Sequence, residues 1–208
     1  MPTHFIKQTD QYSICIWKTT ESESELQQLL HLSKAFTAKS SSRRIEHLSS
    51  RAAAMALGVL PETIEHSDNG KPIILESNQH ISISHTKGYS CAMIGEKPHF
   101  GIDIEASSPR VLKIRERFLH PDEIQQLKSK QCYDNPSAIL QFWCAKEAIF
   151  KALSMEGLDL RTDIRIEFHP TASNSLKGVY AKTGLTFQIH AIQDPEFMLI
   201  YCFSEESK

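Results

Sequence analysis

The sequence predicts an α+β protein of two successive lobes, because helices followed by short strands occur in the same order in both halves. Apolar residues at helical spacing mark two segments in each half, and short β-like runs follow them. The 208 residues are enough for two small lobes, each with its own core. The segment 105–109 is the predicted crossing, so the expected lobes are residues 1–105 and 106–208.

The first half begins with a predicted strand at residues 12–17. Leucines at helical spacing then predict a helix at 21–36, and an alanine-rich helix is predicted at 43–57. This second helix ends before Gly58 and Pro61, which are typical of helix C-termini. After the turn signal Asp68-Asn69-Gly70, four β-like runs are predicted, at residues 73–75, 81–84, 89–94 and 99–105.

The second half repeats this order. One helix is predicted after Pro121, and a longer one is predicted at 136–154. Asn135 is a good N-cap for the longer helix, and Pro136 suits its first position. Three strands are predicted to follow, at residues 163–168, 185–192 and 197–203.

Composition and charge narrow the class of protein. The formal net charge of −2 provides no general attraction to nucleic acid or to anionic membranes, so any polyanion site requires local clusters of Lys and Arg. The five cysteines are scattered and form no CxxC pair, which argues against a disulfide framework or a structural zinc site. No signal-like start or membrane-length apolar segment is visible. We therefore expect a cytoplasmic protein without nucleic-acid or membrane partners.

The predicted strand at 99–105 carries two carboxylates on one face. Its residues alternate, so Gly101, Asp103 and Glu105 share the face opposite to the apolar residues. Neighbouring like charges repel unless a cation lies between them, and a hard divalent ion with oxygen ligands fits that need. Gly101 would leave room for a ligand to approach the backbone. The alternative is a half-exposed strand with a polar outer face.

The long helix predicted at 136–154 carries a charged stripe. Trp143, Glu147 and Lys151 follow each other at i, i+4 spacing and therefore lie on one face. The remaining positions are mostly apolar, so the helix should be well buried and its stripe should face a polar group. A metal ion and phosphates would be such polar groups. The alternative is a surface Glu–Lys pair with the tryptophan packed in the core.

Together, these two motifs resemble the paired signature of 4′-phosphopantetheinyl transferases. The motifs are Gly-Ile-Asp-Ile-Glu at 101–105 and Trp-Cys-Ala-Lys-Glu-Ala-Ile-Phe-Lys at 143–151. Gly70-Lys71-Pro72 and Ile83-Ser84-His85 resemble the coenzyme A motifs of the larger, surfactin-synthetase-activating type. The segment 117–123 is similar to the family's segment between the two signatures, and its closing glutamate corresponds to Glu123. The length argues against the smaller, trimeric holo-acyl-carrier-protein synthase type.

The resemblance implies a monomer of two pseudo-symmetric α/β lobes with the metal site between them. It also implies magnesium-dependent transfer of phosphopantetheine from coenzyme A to a serine of an apo acyl or peptidyl carrier protein. The implied metal ligands are Asp103, Glu105 and Glu147. Lys151 and Lys146 would contact the pyrophosphate. Either Glu147 or a metal-bound hydroxide would accept the serine proton, with Glu123 as a helper.

For the adenosine end of coenzyme A, the resemblance implies Lys71, Ser84 and His85. A basic residue on or before the second helix would join them, from the set Lys34, Lys39, Arg43, Arg44 and Arg51. Arg44 and Arg51 are favoured because they share a helix face, although a solvated helix surface is the alternative. Two other functions remain open from the sequence: a non-catalytic relative that binds coenzyme A or a carrier, and a metal-dependent phosphodiesterase. The sequence does not select one carrier protein.

Overall fold

The computed structural model describes residues 3–32, 40–168 and 176–205. The chain divides into two compact units, Met1–Pro98 and His99–Lys208. The division precedes the strand that carries Asp103 and Glu105, whereas the predicted boundary followed it. The physical reason is that this strand pairs within the second sheet.

The first unit contains a six-stranded sheet in which all neighbouring strands are antiparallel. Its strands are β1 (Thr3–Gln8), β2 (Tyr12–Lys18), β3 (Ile64–His66), β4 (Pro72–Ile74), β5 (His80–Thr86) and β6 (Tyr89–Gly95). Their order across the sheet is β1-β2-β6-β5-β4-β3. The predicted turn between β3 and β4 is present, with Gly70 at φ 80° and its N–H donating to Ser67 O at 2.8 Å.

Helix α2 (Ser41–Met55) packs on this sheet, and helix α1 (Glu23–Leu29) packs against α2. A short 3-10 helix follows (Pro61–Thr63). The Ser22 side chain caps α1 in a capping box with Glu25. Ser40 caps α2 by accepting a hydrogen bond from Arg43 N. The buried alanines at 52–54 let α2 lie close to the sheet and contribute to the core of this unit.

The second unit contains a five-stranded antiparallel sheet in the order β7-β11-β10-β9-β8. Its strands are β7 (Phe100–Ala106), β8 (Ile164–Phe168), β9 (Leu176–Tyr180), β10 (Leu185–Gln193) and β11 (Phe197–Ser204). The helices are a 3-10 helix (Pro109–Lys113), α3 (Arg115–Phe118), α4 (Pro121–Ser129) and α5 (Pro136–Leu153).

Helix α5 is the central element of the second unit and contacts all five strands. It begins as predicted: the Asn135 side chain accepts hydrogen bonds from the N–H groups of Ser137 and Ala138, and Pro136 occupies the first position. It ends at Ser154, which has a left-handed backbone with φ 49°. Its apolar side chains form the core of the unit with those of the sheet.

Gly101 on β7 allows α5 to approach the strand closely. A Cβ atom at this position would clash with the carbonyl oxygen of Ala148 and would lie 2.9 Å from Ala152 N. The expectation that this space admits a ligand is therefore wrong, because the backbone of α5 fills it. Glycine is required here for helix packing.

Most predicted elements are confirmed within two residues at each end. The first predicted helix is shorter than expected, ending at Leu29, and its residues 33–36 lie outside the described part of the chain. Strands β1, β3 and β9 and helix α3 were missed. In β9, Gly178 weakens the strand pattern, yet a Cβ there would clash with Ile149 of α5.

The predicted α+β class with two lobes is confirmed, while the monomeric state stays a prediction. Among the described residues, no helix is both long and apolar enough to cross a membrane.

Gly101→Ala is expected to lower the free energy of unfolding by about 1–3 kcal/mol, because the added methyl group forces α5 away from β7. Urea unfolding measures this change. Gln188→Ala, at an exposed position of β10, is the control and should stay within about 0.5 kcal/mol of the original protein. Equal stability of the two variants would contradict this account of the packing.

Candidate active site

The carboxylate strand and the charged stripe of α5 meet in the second unit. Asp103 on β7 is 4% exposed, and its Oδ1 accepts a hydrogen bond from Lys151 Nζ at 2.8 Å. The same ammonium group donates to Ile102 O at 3.2 Å. Lys151 therefore links the C-terminal part of α5 to the strand that carries Asp103.

Trp143 makes the second link between α5 and β7. Its Nε1–H donates to Glu105 Oε1 at 3.1 Å. Its ring also packs edge-on against Phe118, with the centroids 5.0 Å apart. The structure thus brings Asp103, Glu105, Trp143 and Lys151 together, and Glu147 lies between the two links on α5.

Burial and repulsion act together on Glu147. Burial is the main cause that raises the pKa of Glu147 to about 7, and the charge of Asp103 raises it further. Lys151 opposes this shift, and Glu105 adds to it. Three carboxylates therefore share this region with one lysine, which leaves an excess of negative charge.

The residues fit a magnesium ion by their chemistry. Mg²⁺ prefers carboxylate oxygens, and a divalent cation would offset the repulsion that raises the pKa of Glu147. Within the described ranges, no group of three or more His, Cys, Asp or Glu side chains is already arranged as a metal site. The three carboxylates therefore provide suitable donors without a preformed coordination shell, and their role as ligands stays a prediction.

Lys146 does not lie where the sequence predicted. Its side chain is fully buried, and Nζ donates to Leu160 O at 2.8 Å and Ile164 O at 2.7 Å. Nζ also lies 3.0 Å from Glu123 Oε1. These three oxygens take up all three donors of the ammonium group. The predicted contact of Lys146 with pyrophosphate is therefore wrong in this structure.

Glu123 is equally enclosed, with 0% of the residue exposed. Its Oε2 accepts a hydrogen bond from His120 N at 2.7 Å and completes a capping box at the start of α4. Its Oε1 accepts one from Ile166 N at 2.7 Å. A carboxylate buried in this way cannot accept a proton from an external serine, so the predicted helper role of Glu123 is wrong.

In the first unit, three predicted coenzyme A contacts lie on or beside β4 and β5. Lys71 follows the turn, is partly buried, and has a pKa lowered by that burial. Ser84 is 6% exposed on β5. The next residue, His85, has Nε2 3.2 Å from Glu46 Oε2 of α2.

The two arginines favoured on α2 contact different elements. Arg44 Nε pairs with Glu23 Oε1 of α1 at 2.7 Å. Arg51 is 7% exposed, and its guanidinium donates to Ile64 O at 3.0 Å. Arg43 is exposed, and Lys34 and Lys39 lie outside the described residues.

Sequence reasoning missed two histidines near Arg51. The rings of His47 and His66 are 6.3 Å apart, and burial followed by the charge of Arg51 lowers the pKa of both. The charge of His85 also contributes to the shift at His47. His47 precedes Arg51 by four residues, so helical spacing could have found it. His66 depends on sheet pairing and gives no such signal.

Glu147→Gln is expected to stabilise the metal-free protein at pH 8 by on the order of 1 kcal/mol and to have little effect near pH 4. The pKa of Glu147 rises from 4.5 to about 7 on folding, so the stability associated with its neutral form is present below pH 4.5 and is lost as the pH rises through 7.

Urea unfolding in EDTA at both pH values measures this effect. Glu167→Gln, at an exposed position of β8, is the matched control and should show no pH-dependent gain. A Glu147→Gln variant that is no more stable than the original protein at pH 8 would contradict the assigned pKa.

The region that contains β7 and α5 also matches known proteins. Residues 99–202 match the family model described as the 4′-phosphopantetheinyl transferase superfamily. A segment of 115 residues is 33% identical to a 4′-phosphopantetheinyl transferase of Bacillus subtilis and covers 54% of this chain and 50% of that protein. A segment of 88 residues is 34% identical to the 4′-phosphopantetheinyl transferase psf-1 of Bacillus pumilus, covering 42% and 37%.

Among solved structures, holo-[acyl-carrier-protein] synthase of Helicobacter pylori in complex with coenzyme A matches with a TM-score of 0.42 and 27% identity. The match covers 51% of this chain and 99% of that one. The chain spans about half or less of the length of the two curated Bacillus relatives. The matched family segment amounts to half of the chain and contains both β7 and α5, so the chain belongs to the 4′-phosphopantetheinyl transferase superfamily.

Proposed function

We propose that this protein transfers the 4′-phosphopantetheine group of coenzyme A to a serine of an apo acyl or peptidyl carrier protein. The observation that carries this proposal is the meeting of Asp103, Glu105, Glu147 and Lys151 within the segment that matches the family. The serine Oγ attacks the β-phosphorus, and the bond from that phosphorus to the bridging oxygen breaks. Adenosine 3′,5′-bisphosphate is the leaving group.

A magnesium ion is the proposed cofactor, held by Asp103, Glu105 and Glu147. When bound, it would neutralise charge on the phosphate oxygens, which is the main demand of phosphoryl transfer. Lys151 would also neutralise charge on the phosphate oxygens. Its ammonium group is partly exposed beside Asp103, so it can bind a pyrophosphate oxygen as a point charge.

Glu147 is the proposed acceptor of the serine proton. Its carboxylate is partly exposed and lies near Asp103 and Lys151, so it can approach the serine hydroxyl at the proposed phosphate site. The burial of Glu123 and its hydrogen bonds remove it from this role.

The basic residues of the first unit are proposed to bind the phosphates at the adenosine end of coenzyme A. Arg51, His47 and His66 are near one another, and His85 contributes to the field at His47. Lys71 is partly buried, and loss of hydration strengthens its interaction with an anion. Ser84 and Arg44 are retained as secondary contacts from the resemblance.

The protein is further proposed to be a cytoplasmic monomer that needs no nucleic acid or membrane partner. The net charge of −2 supports the absence of such partners, and the five free cysteines, four of them buried, support a reducing compartment. The monomeric state is proposed from the family resemblance.

Incubation with coenzyme A, Mg²⁺ and a panel of apo carrier proteins is expected to add about 340 Da to at least one carrier serine. Intact-mass spectrometry measures the gain, and Asp103→Asn should reduce the rate by roughly 10²–10⁴-fold because it removes a charge from the proposed metal site. Glu167→Gln is the control and should retain the rate.

The same assay separates the alternatives. Metal-dependent release of the bisphosphate without a carrier would indicate a phosphodiesterase. Binding of coenzyme A without turnover on any carrier would indicate a non-catalytic relative. Either outcome would reject the transferase assignment.

His85→Ala is expected to raise KM for coenzyme A about tenfold and to change kcat little, because a charge-assisted hydrogen bond to a phosphate is removed in both the ground state and the transition state. Steady-state kinetics with varied coenzyme A measures the split. His80→Ala, an exposed position on the same strand, is the matched control. An unchanged KM in the His85 variant would remove this residue from the proposed site.

A further inference from the structure

The outer edge of β8 is closed by side chains of α4 and α5. Among the described strands, β8 is the last of its sheet and pairs with β9 alone. On its outer edge, Ile164 O accepts a hydrogen bond from Lys146 Nζ, and Ile166 N donates to Glu123 Oε1. Farther along, Phe168 N donates to Gln126 Oε1 at 3.3 Å. These contacts satisfy backbone groups that an edge strand otherwise leaves exposed.

The Glu123–Lys146 ion pair lies at the centre of this closure. Both side chains are essentially unexposed, and the two charged groups are 3.0 Å apart. A buried ion pair is a poor source of net stability, because desolvation of the two charges offsets their attraction. Its hydrogen bonds are directional, however, and they join α4, α5, β8 and the Leu160 carbonyl in one arrangement.

Helix α5 is therefore held at both edges of its sheet. At the β8 edge it is held by Lys146, and at the β7 edge by Lys151 and Trp143. Glu147 is the residue after Lys146, and successive residues of a helix are rotated by about 100°. The direction of Lys146 toward β8 consequently determines the direction of Glu147.

We propose that the Glu123–Lys146 pair is a positioning device for the active site, which fixes the rotation of α5 and so aligns Glu147 and Lys151 with Asp103. The inference rests on the proposed function, because it uses the roles assigned there to Glu147 and Lys151. Glu123 and Lys146 are positioning residues and touch no reacting atom.

The main test is the double variant Glu123→Gln/Lys146→Met, which removes both charges and leaves no buried charge unpaired. With a folded protein, kcat is expected to fall about 10–100-fold while KM for coenzyme A stays within about twofold, because small misplacement of catalytic groups slows chemistry more than it weakens binding. Unchanged kcat in the folded double variant overturns the proposal.

Glu123→Gln alone is the second variant. It keeps the length of the side chain but leaves the buried charge of Lys146 without its counter-charge, so its kinetics are compared on folded protein. The rate of this variant is expected to fall by a similar factor at every pH, so both the acidic and the basic limb of its pH–rate profile remain. Loss of a limb would identify Glu123 as the proton acceptor and overturn the proposal.

The two tryptophans provide a readout that needs neither activity nor metal. The indole N–H of Trp143 bonds Glu105 on β7, whereas that of Trp17 lies 3.4 Å from Glu21 in the first unit. In the charge-free double variant, the ¹H–¹⁵N resonance of the Trp143 indole is expected to shift and that of Trp17 to stay. Lys182→Met, which removes an exposed lysine from its ion pair with the buried Asp163, is the control and should move neither resonance.

The arms of the experiment separate the two proposals. If the unmodified protein transfers nothing to any carrier, the proposed function fails, and the Trp143 resonance alone decides whether the ion pair positions α5. An unmoved Trp143 resonance overturns the positioning proposal even when the transferase is active.

Discussion

The close approach of α5 to β7 at Gly101 is the constraint on which the acidic site depends. With no Cβ at this position, the helix backbone lies directly against the strand. At that separation Lys151 reaches both Asp103 and Ile102 O, and Trp143 reaches Glu105. The charged groups of the site are thus held by backbone packing, which is stiffer than side-chain contacts alone.

The same packing explains the electrostatics. A helix whose other faces lie in an apolar core carries its polar stripe into a partly desolvated region, where repulsion between carboxylates is only weakly screened. Burial therefore raises the pKa of Glu147, and nearby carboxylates raise it further. The result is a cluster of three carboxylates whose negative charge is only partly balanced by Lys151.

The surroundings of a site residue could be predicted from the sequence when they are formed by neighbours along the chain. The alternation on β7 and the i, i+4 spacing on α5 placed Asp103, Glu105, Glu147 and Lys151 correctly relative to their own elements. Lys146 was assigned to the wrong environment, because one step along a helix turns a side chain from one edge of the sheet to the other. Glu123 was given the wrong role because tertiary packing brings Ile166 N to its carboxylate. His66 was missed because its neighbour Arg51 is also brought near by tertiary packing.

By itself, the sequence determined the order of helices and strands and the N-cap and proline that begin α5, since each depends on residues close together along the chain. It also determined the family, because the motifs at 101–105 and 143–151 are each read from a short segment. The tertiary structure decided which charges are buried, what occupies the space beside Gly101, and which unit holds the carboxylate strand. These properties depend on strand pairing and on the distance between packed backbones. Both are set by contacts between residues far apart in sequence, which local periodicity does not encode.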